Sequence, residues 1–250
     1  RNSKNYGSNW ISAGYALWFL REAKYLNAAR MAIGSSSAVS GTGFLFSDKV
    51  INDYSGWNFF TLTEDIEFTN VSRSVTIGYT ADAILYDEQP TSFRQSWNQR
   101  LRWAKGYLQV LQKYGGSLFK GIFHGSFSCY DMLMNILPAA ALTAVSILVN
   151  LGAVVYSFLG NGSFAALGTS LLQLFISLCL TVFILGLITT ITEWKQIHCP
   201  TWKKLLYTIT FPLFMLTYIP IYIVSLFSKV EWKPIKHEKN LTLEQIMANE

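Results

Sequence analysis

The stretch 132-MLMNILPAAALTAVSILVNLGAVVYSFLGNGSFAALGTSLLQLFISLCLTVFILGLITTIT-192 contains no Asp, Glu, Lys or Arg. A helix crossing a hydrocarbon layer of about 30 Å needs about 20 apolar residues. Sixty-one uncharged residues therefore hold two spans and a turn. The breakers Gly160-Asn161-Gly162-Ser163 mark the turn, so spans are expected near 134–159 and 164–191. A charge at mid-membrane costs about 2.5–3.5 kcal/mol on insertion scales, which accounts for the empty stretch.

Outward from it the chain changes character. Residues 1–131 carry 13 Lys/Arg and 10 Asp/Glu, the charge density of a water-facing domain. A third apolar segment, 205–228, is interrupted by Pro212 and Pro220 and reads as a kinked span or a re-entrant hairpin. Between the second and third segments, Lys195, Lys203 and Lys204 with Trp194 and Trp202 fit a short cytoplasmic loop with interfacial anchors. A third full span puts the polar tail 229–250 outside, whereas its Lys229, Lys233, Lys236 and Lys239 favour the inside, so its topology stays open.

The averages blend these parts: 250 residues, 51% hydrophobic and 14% charged, net charge +5, mean hydropathy +0.26. Such hydrophobicity excludes disorder. Three cysteines, Cys129, Cys179 and Cys199, do not make a disulfide framework and read as reduced structural thiols. The start is too polar for a signal peptide, and +5 without a basic stripe argues against a nucleic-acid partner. His124, His198 and His237 are scattered and suggest no metal centre.

Within 1–91, Trp10–Ile33 reads as a helix stopped by Gly34. Gly41–Ser47 reads as a short strand behind a glycine turn, and 75–81 as a strand by alternation. Thr63 is placed to cap a helix whose first turn holds Glu64 and Asp65. Alternating strand and helix point to an α/β layer architecture, with too few strands for a closed sheet; the numbering is expected to begin inside a larger domain. In 92–131 the decisive element is the helix over 92–114. Phe93, Trp97, Leu101, Ala104, Leu108 and Leu111 fall within roughly 80° on a helical wheel, and Gln99, Arg102, Trp103 and Gly106 occupy an opposite arc of about 100°. Placed before the spans it reads as an interfacial helix, its apolar face on membrane or core.

A large aromatic on the polar arc needs a reason. An indole covers the apolar face of a pyranose, and a guanidinium grips phosphate oxygens. Asp65 offers a carboxylate able to take a proton from a hydroxyl. Gly41-Thr42-Gly43, Thr63-Glu64-Asp65 and Gln99-Arg100-Leu101-Arg102-Trp103 stand in that order ahead of the spans. This resembles the processive family 2 glycosyltransferases, the cellulose, chitin and hyaluronan synthase group, and Val230–His237 looks like the tail of bacterial members. Taken singly, the same residues have plainer readings: a helix cap, a turn, a belt tryptophan, arginines facing anionic lipid.

The resemblance implies the C-terminal part of a GT-A type α/β domain followed by an all-α transmembrane region (132–228) in the plasma membrane, catalytic part cytoplasmic. It implies an inverting hexosyltransferase that extends a β-linked polysaccharide from a UDP-sugar, UDP-GlcNAc or another UDP-hexose. Asp65 would be the general base, supported by Thr63 and Glu64. Gln99, Arg100 and Arg102 would hold the donor pyrophosphate. Trp103 would stack on the acceptor sugar, with Gly41, Thr42 and Gly43 in the acceptor pocket. The family's Mg2+ or Mn2+ would be held by a D-x-D pair that has no counterpart in this chain, so this stretch alone is expected to be inactive. The rival readings are transfer of one sugar to a polyprenyl or lipid phosphate, and a non-catalytic membrane anchor or transporter fragment.

Overall fold

The computed structural model describes residues 1–71, 76–159, 164–232 and 241–248. It is mostly helical. Asn9 opens α1 (Trp10–Arg21): its Oδ1 accepts from the Ile11 and Ser12 amides, and Ser12 Oγ accepts from the Asn9 amide, a reciprocal cap. The rod continues as a π-turn (Glu22–Asn27) and α2 (Ala28–Ala32), and Gly34 ends it at φ +70°, as the sequence predicts. The π-turn, which no periodicity announces, inserts a wider loop of backbone where function often sits.

The strands at 41–47 and 75–81 do not form; residue 75 lies outside the described residues. In the segments 36–40 and 76–80, three amides are taken by side chains rather than by a neighbouring strand. Val39 N donates to Thr69 Oγ1, Ala38 N to Asn27 Oδ1, and Ile77 N to Ser36 Oγ. The main-chain bond between them is Ser37 N to Ile77 O. Among the described residues the only sheet is a parallel pair, β1 (Asn2–Ser3) with β2 (Tyr86–Asp87), register Asn2↔Tyr86.

Two short helices follow, α3 (Asp48–Asp53) and α4 (Glu64–Val71). The loop between them folds over an aromatic cluster in which Trp57 stacks on Phe68 at 5.3 Å. Then comes α5 (Phe93–Phe123), which continues nine residues past the expected 114, and α6 (Phe127–Ile136). The apolar stripe of α5 is not a membrane face: Trp97, Leu101, Ala104 and Leu108 pack with Ile221 and Tyr222.

The remaining helices are α7 (Pro138–Leu159), α8 (Phe164–Thr192), α9 (Thr201–Leu216), α10 (Tyr218–Phe227) and α11 (Leu243–Met247). The expected turn at 160–163 and most of the Val230–His237 tail lie outside the described residues. Among those described, Leu171–Thr192 and Thr201–Phe227 are long and apolar enough to cross a membrane. The latter runs on as helix with one non-helical residue, Thr217, and does not fold back as a hairpin.

One ion pair ties α2 to α6. Arg30 donates through Nε and Nη2 to Asp131 at 2.7 and 3.0 Å, and through Nη1 to Asn27 Oδ1 at 3.1 Å. Its guanidinium is almost sealed while Asp131 keeps some water contact. Arg30→Met strands the Asp131 carboxylate and should cost about 2 kcal/mol, below the roughly 3–5 kcal/mol of a fully buried pair. Thermal unfolding in detergent measures it, and Asp131→Asn should cost about as much.

Candidate active site

The site is built where α4 meets α5. Gly106 has no side chain, and a Cβ placed there would lie 2.6 Å from Thr63 Cγ2 and Oγ1 and 2.8 Å from Thr63 N. The Thr63-Glu64-Asp65 turn therefore rests directly on the α5 backbone. The Thr63 hydroxyl is buried without a hydrogen-bond partner among the described residues, so Thr63 does not cap α4 with its side chain. It seats the turn by contact. Glu67 does the fastening: fully buried, it accepts from the Phe60 and Thr61 amides at 3.0 and 2.9 Å, from Lys113 Nζ at 2.6 Å and from Tyr114 OH at 2.8 Å. Burial pushes its pKa up, but the bonds from Lys113, Thr61 and Tyr114 outweigh that and hold it below the usual value. Sequence reasoning saw Glu67 only as one of several acids; three residues after Glu64, it lies on the same helical side.

Asp65 has two unlike oxygens. Oδ1 accepts from the Ile66 amide at 2.8 Å. Oδ2 lies toward Gly41, 3.6 Å from where a Cβ would sit, and accepts no hydrogen bond among the described residues. Gly41 and Gly43 adopt φ +74° and +69°, the region glycine enters freely, and Thr42 N closes the turn onto Ser40 O at 2.8 Å. Thr69 holds this turn against α4, its Oγ1 donating to Asp65 O and accepting from Val39 N. Two of the predicted motifs thus meet at one carboxylate oxygen.

Burial is the main cause that pushes Asp65 up to about 6; the Ile66 hydrogen bond opposes it, the Glu64 charge adds to it and the Arg102 charge opposes it. Arg102 feels burial first, then Glu64 and Asp65, which places it in the same electrostatic neighbourhood; its guanidinium also lies 5.8 Å from the Trp232 ring. Trp103 is half-buried, with its ring at a steep angle to Tyr15 at 5.7 Å and to Phe19 at 6.1 Å. Gln99, 8% exposed, keeps a buried Oε1 without a hydrogen-bond partner. The polar arc of α5 is therefore turned toward α1 and α4.

Arg100 does not join this group. It is fully buried, with Nη1 donating to Phe214 O and Thr217 Oγ1, on the side of α5 that meets α9 and α10. The helical wheel already puts it about 20° from Phe93, at the margin of the apolar stripe. Two groups escaped sequence reasoning. Glu22, at the start of the π-turn, is raised by burial, lowered by Arg1 and Arg30, and raised again by Asp65. Tyr107 is raised by burial and then by Glu22 and Asp65. Both belong to the surroundings of Asp65, and neither carries a motif. For a divalent metal the residues do not fit: among the described residues no three His, Cys, Asp or Glu side chains converge.

Residues 1–227 match the family model described as glycosyl transferase family group 2. The chain belongs to that family. It is 26% identical over 127 residues to "Probable glycosyltransferase YdaM" of Bacillus subtilis, covering 46% of this chain and 30% of the relative. It is 28% identical over 135 residues to the beta-monoglucosyldiacylglycerol synthases of Trichormus variabilis and a Nostoc species, covering 50% of this chain and 27% of each relative. The matched stretch is thus less than a third of these relatives' length. No solved structure matches.

Gly106→Ala tests the contact on which the site is built. Thr63 can move only by shifting the turn that carries Asp65. The variant should lose about 1–3 kcal/mol of stability, the usual range for overpacking, and turnover should fall more than this explains. Unfolding temperature and initial rate, measured on one preparation, separate the two effects.

Proposed function

We propose that this chain carries the acceptor side and the membrane part of an inverting glycosyltransferase that takes a hexosyl unit from a UDP-sugar, UDP-GlcNAc or a related UDP-hexose. The observation that carries the reading is the free Oδ2 of Asp65 beside the Gly41 turn, in the same field as Arg102. A hydroxyl of the acceptor sugar gives its proton to Oδ2 while its oxygen attacks the anomeric carbon from the face opposite the diphosphate. The anomeric C–O bond breaks and UDP leaves with the electron pair. Burial lifts Asp65 close enough to neutral pH to accept a proton readily while still ionised at pH 7. Arg102 and Gln99 face the leaving diphosphate, Glu64 and Thr63 hold the base in place, and Trp103 with Gly41, Thr42 and Gly43 bounds the acceptor. Any Mg2+ or Mn2+ would depend on residues outside this stretch.

The acceptor we favour is a growing β-linked polysaccharide. Support comes from the indole of Trp103 on the helix that packs on the membrane segment through α10. The catalytic face lies on the cytoplasmic side of the plasma membrane in this reading, supported by the lysines of 193–204. A second acceptor class has a specific observation behind it: two relatives are named for making a glucosyldiacylglycerol. In that case the product carries one sugar on a lipid. Incubating the intact enzyme with a labelled UDP-sugar and sizing the product decides between them. No labelled product with any UDP-hexose would leave a non-catalytic membrane anchor instead.

Asp65→Asn in the intact enzyme should lower turnover by about 10²–10⁴-fold, the usual worth of a general base; near-normal turnover refutes the assignment. The linkage runs in a definite direction. The folded pKa, about 6, lies above the unfolded one, so the folded state binds the extra proton, and the stability from neutral Asp65 is lost as pH rises to about 6. Asp65→Asn should then unfold at no lower temperature than the parent at pH 7. Turnover of the parent should fall about tenfold per pH unit below its apparent pKa, and a flat acid limb would count against Asp65.

Trp103→Ala should raise the acceptor KM or lower kcat far more than it raises the donor KM. Steady-state kinetics with each substrate varied reads this, and the opposite pattern removes the stacking role.

A further inference from the structure

Arg100 is a buried cation with no ion-pair partner among the described residues. What surrounds it is aromatic: the Phe214 ring centroid at 4.5 Å, Tyr218 at 4.9 Å and Tyr15 at 5.9 Å. Nη1 bonds to Phe214 O at 3.1 Å and to Thr217 Oγ1 at 2.6 Å, while Nη2 has no hydrogen-bond partner among the described residues. Phe214 O and Thr217 mark the place where α9 gives way to α10. A helix C-terminus attracts a cation, and ring faces stabilise one further. Arg100 thus closes the break in the Thr201–Phe227 segment from the side.

The same residue reaches toward the site through Tyr15. That ring lies against Phe214 at 5.0 Å and nearly perpendicular to Trp103 at 5.7 Å. Its hydroxyl donates to Ser96 O at 3.2 Å and accepts from Ser96 Oγ at 3.1 Å, which fixes the hydroxyl end of the ring. Gly14, one residue before, has no Cβ; one placed there would clash with Phe214, and its absence lets α1 and α9 touch. On α5, Trp103 follows Arg100 by three positions, the spacing of side chains that stand next to each other. The helix break, Arg100, Tyr15 and the indole form one unbroken series of contacts.

We propose that Arg100 is a positioning residue for acceptor engagement: it registers the Trp103 indole against the break in the membrane-type helix, and does not bind the donor diphosphate. The proposal rests on the acceptor-side reading of Trp103 given above. It makes the position of the α9–α10 break a determinant of how the acceptor is held, so that a shift of that segment is felt at the sugar-facing ring.

The test uses the intact enzyme in detergent with three variants: Arg100→Met, Arg100→Lys and Thr217→Val. Arg100→Met should raise the acceptor KM or lower kcat by about tenfold while the donor KM stays within about twofold. Arg100→Lys, which keeps the charge among the rings but loses the fork, should recover part of the loss. Thr217→Val should act in the same direction more weakly, and adding it to Arg100→Met should cost little more, since both remove one contact. A readout without turnover accompanies these: in 5-fluorotryptophan-labelled protein, the Trp103 fluorine resonance, assigned by its disappearance in Trp103→Phe, should shift in Arg100→Met and return toward its place in Arg100→Lys. A rise in donor KM with the acceptor KM intact overturns the proposal and returns Arg100 to the diphosphate. So does an unmoved Trp103 resonance. If no sugar is transferred by the parent enzyme, the reading of its function fails and the fluorine experiment still decides the placement of Arg100.

Discussion

Everything at the site depends on a missing methyl group. Because position 106 is glycine, the Thr63 backbone approaches α5 to within the space a Cβ would fill, and the turn carrying Asp65 inherits its place from a helix rather than from a loop. The other face of that helix packs on α10 through Ala104, Leu108 and their neighbours. One helix is therefore a wall shared by the site and the membrane-type segment. A rigid shared wall is the cheapest way to hold a base, a guanidinium and an indole at fixed mutual distances, since an α-helix deforms less than any connecting loop. It also means that the site cannot be repositioned without disturbing the packing on α10.

The electrostatics follow from this packing. Pressing Thr63-Glu64-Asp65 onto α5 removes water from Asp65, and that loss of solvation is the largest influence on its pKa. The α4 amide at Ile66 and the charge of Arg102 pull the other way and keep the carboxylate from becoming a permanently neutral acid. Glu67, one turn of chemistry away, has the opposite outcome in a deeper position because four donors converge on it. Two nearby acids on one short helix are thus shifted in opposite directions, Asp65 up and Glu67 down, by how many hydrogen bonds each receives. Burial alone would have raised both.

Much of this was legible in the sequence. The charge-free stretch marked the long apolar helices, Gly34 marked the end of the first rod, and the wheel of α5 separated the residues facing the site from those facing α10. The order of the three motifs pointed to one site, and the structure brings Gly41 to Asp65. What was not legible depended on tertiary partners. The segments expected as strands found no partner strand: Thr42 N turns back onto Ser40 O and Ile77 N onto Ser36 Oγ, and alternation cannot foresee that. Arg100 was grouped with Arg102 because they are neighbours in a motif, although the helix turns them about 160° apart on the wheel (200° measured the other way); its burial among aromatic rings required knowing where Phe214 and Tyr218 would lie. Glu22 and Tyr107 enter the surroundings of Asp65 through a π-turn and a helix face, and nothing local in either segment marks them.

The placement of Trp103 bears on what the acceptor must be like. Its ring packs at steep angles against Tyr15 and Phe19 and is half-buried, so only part of the indole is left for a ligand. A face selects for a flat, apolar side on the ligand, which a pyranose provides and a flexible acyl chain does not. A glycolipid acceptor would therefore be gripped at its sugar or glycerol end, with its chains continuing toward α9 and α10. A polysaccharide would present the same sugar face each time a unit is added. On the acceptor-side reading proposed above, the indole would recognise the terminal unit in either case, and the choice between polymer and lipid would pass to whatever lies beyond that unit along the membrane-type helices. Acceptor class should accordingly be altered by changes on α9 and α10 and not by changes at Trp103 itself.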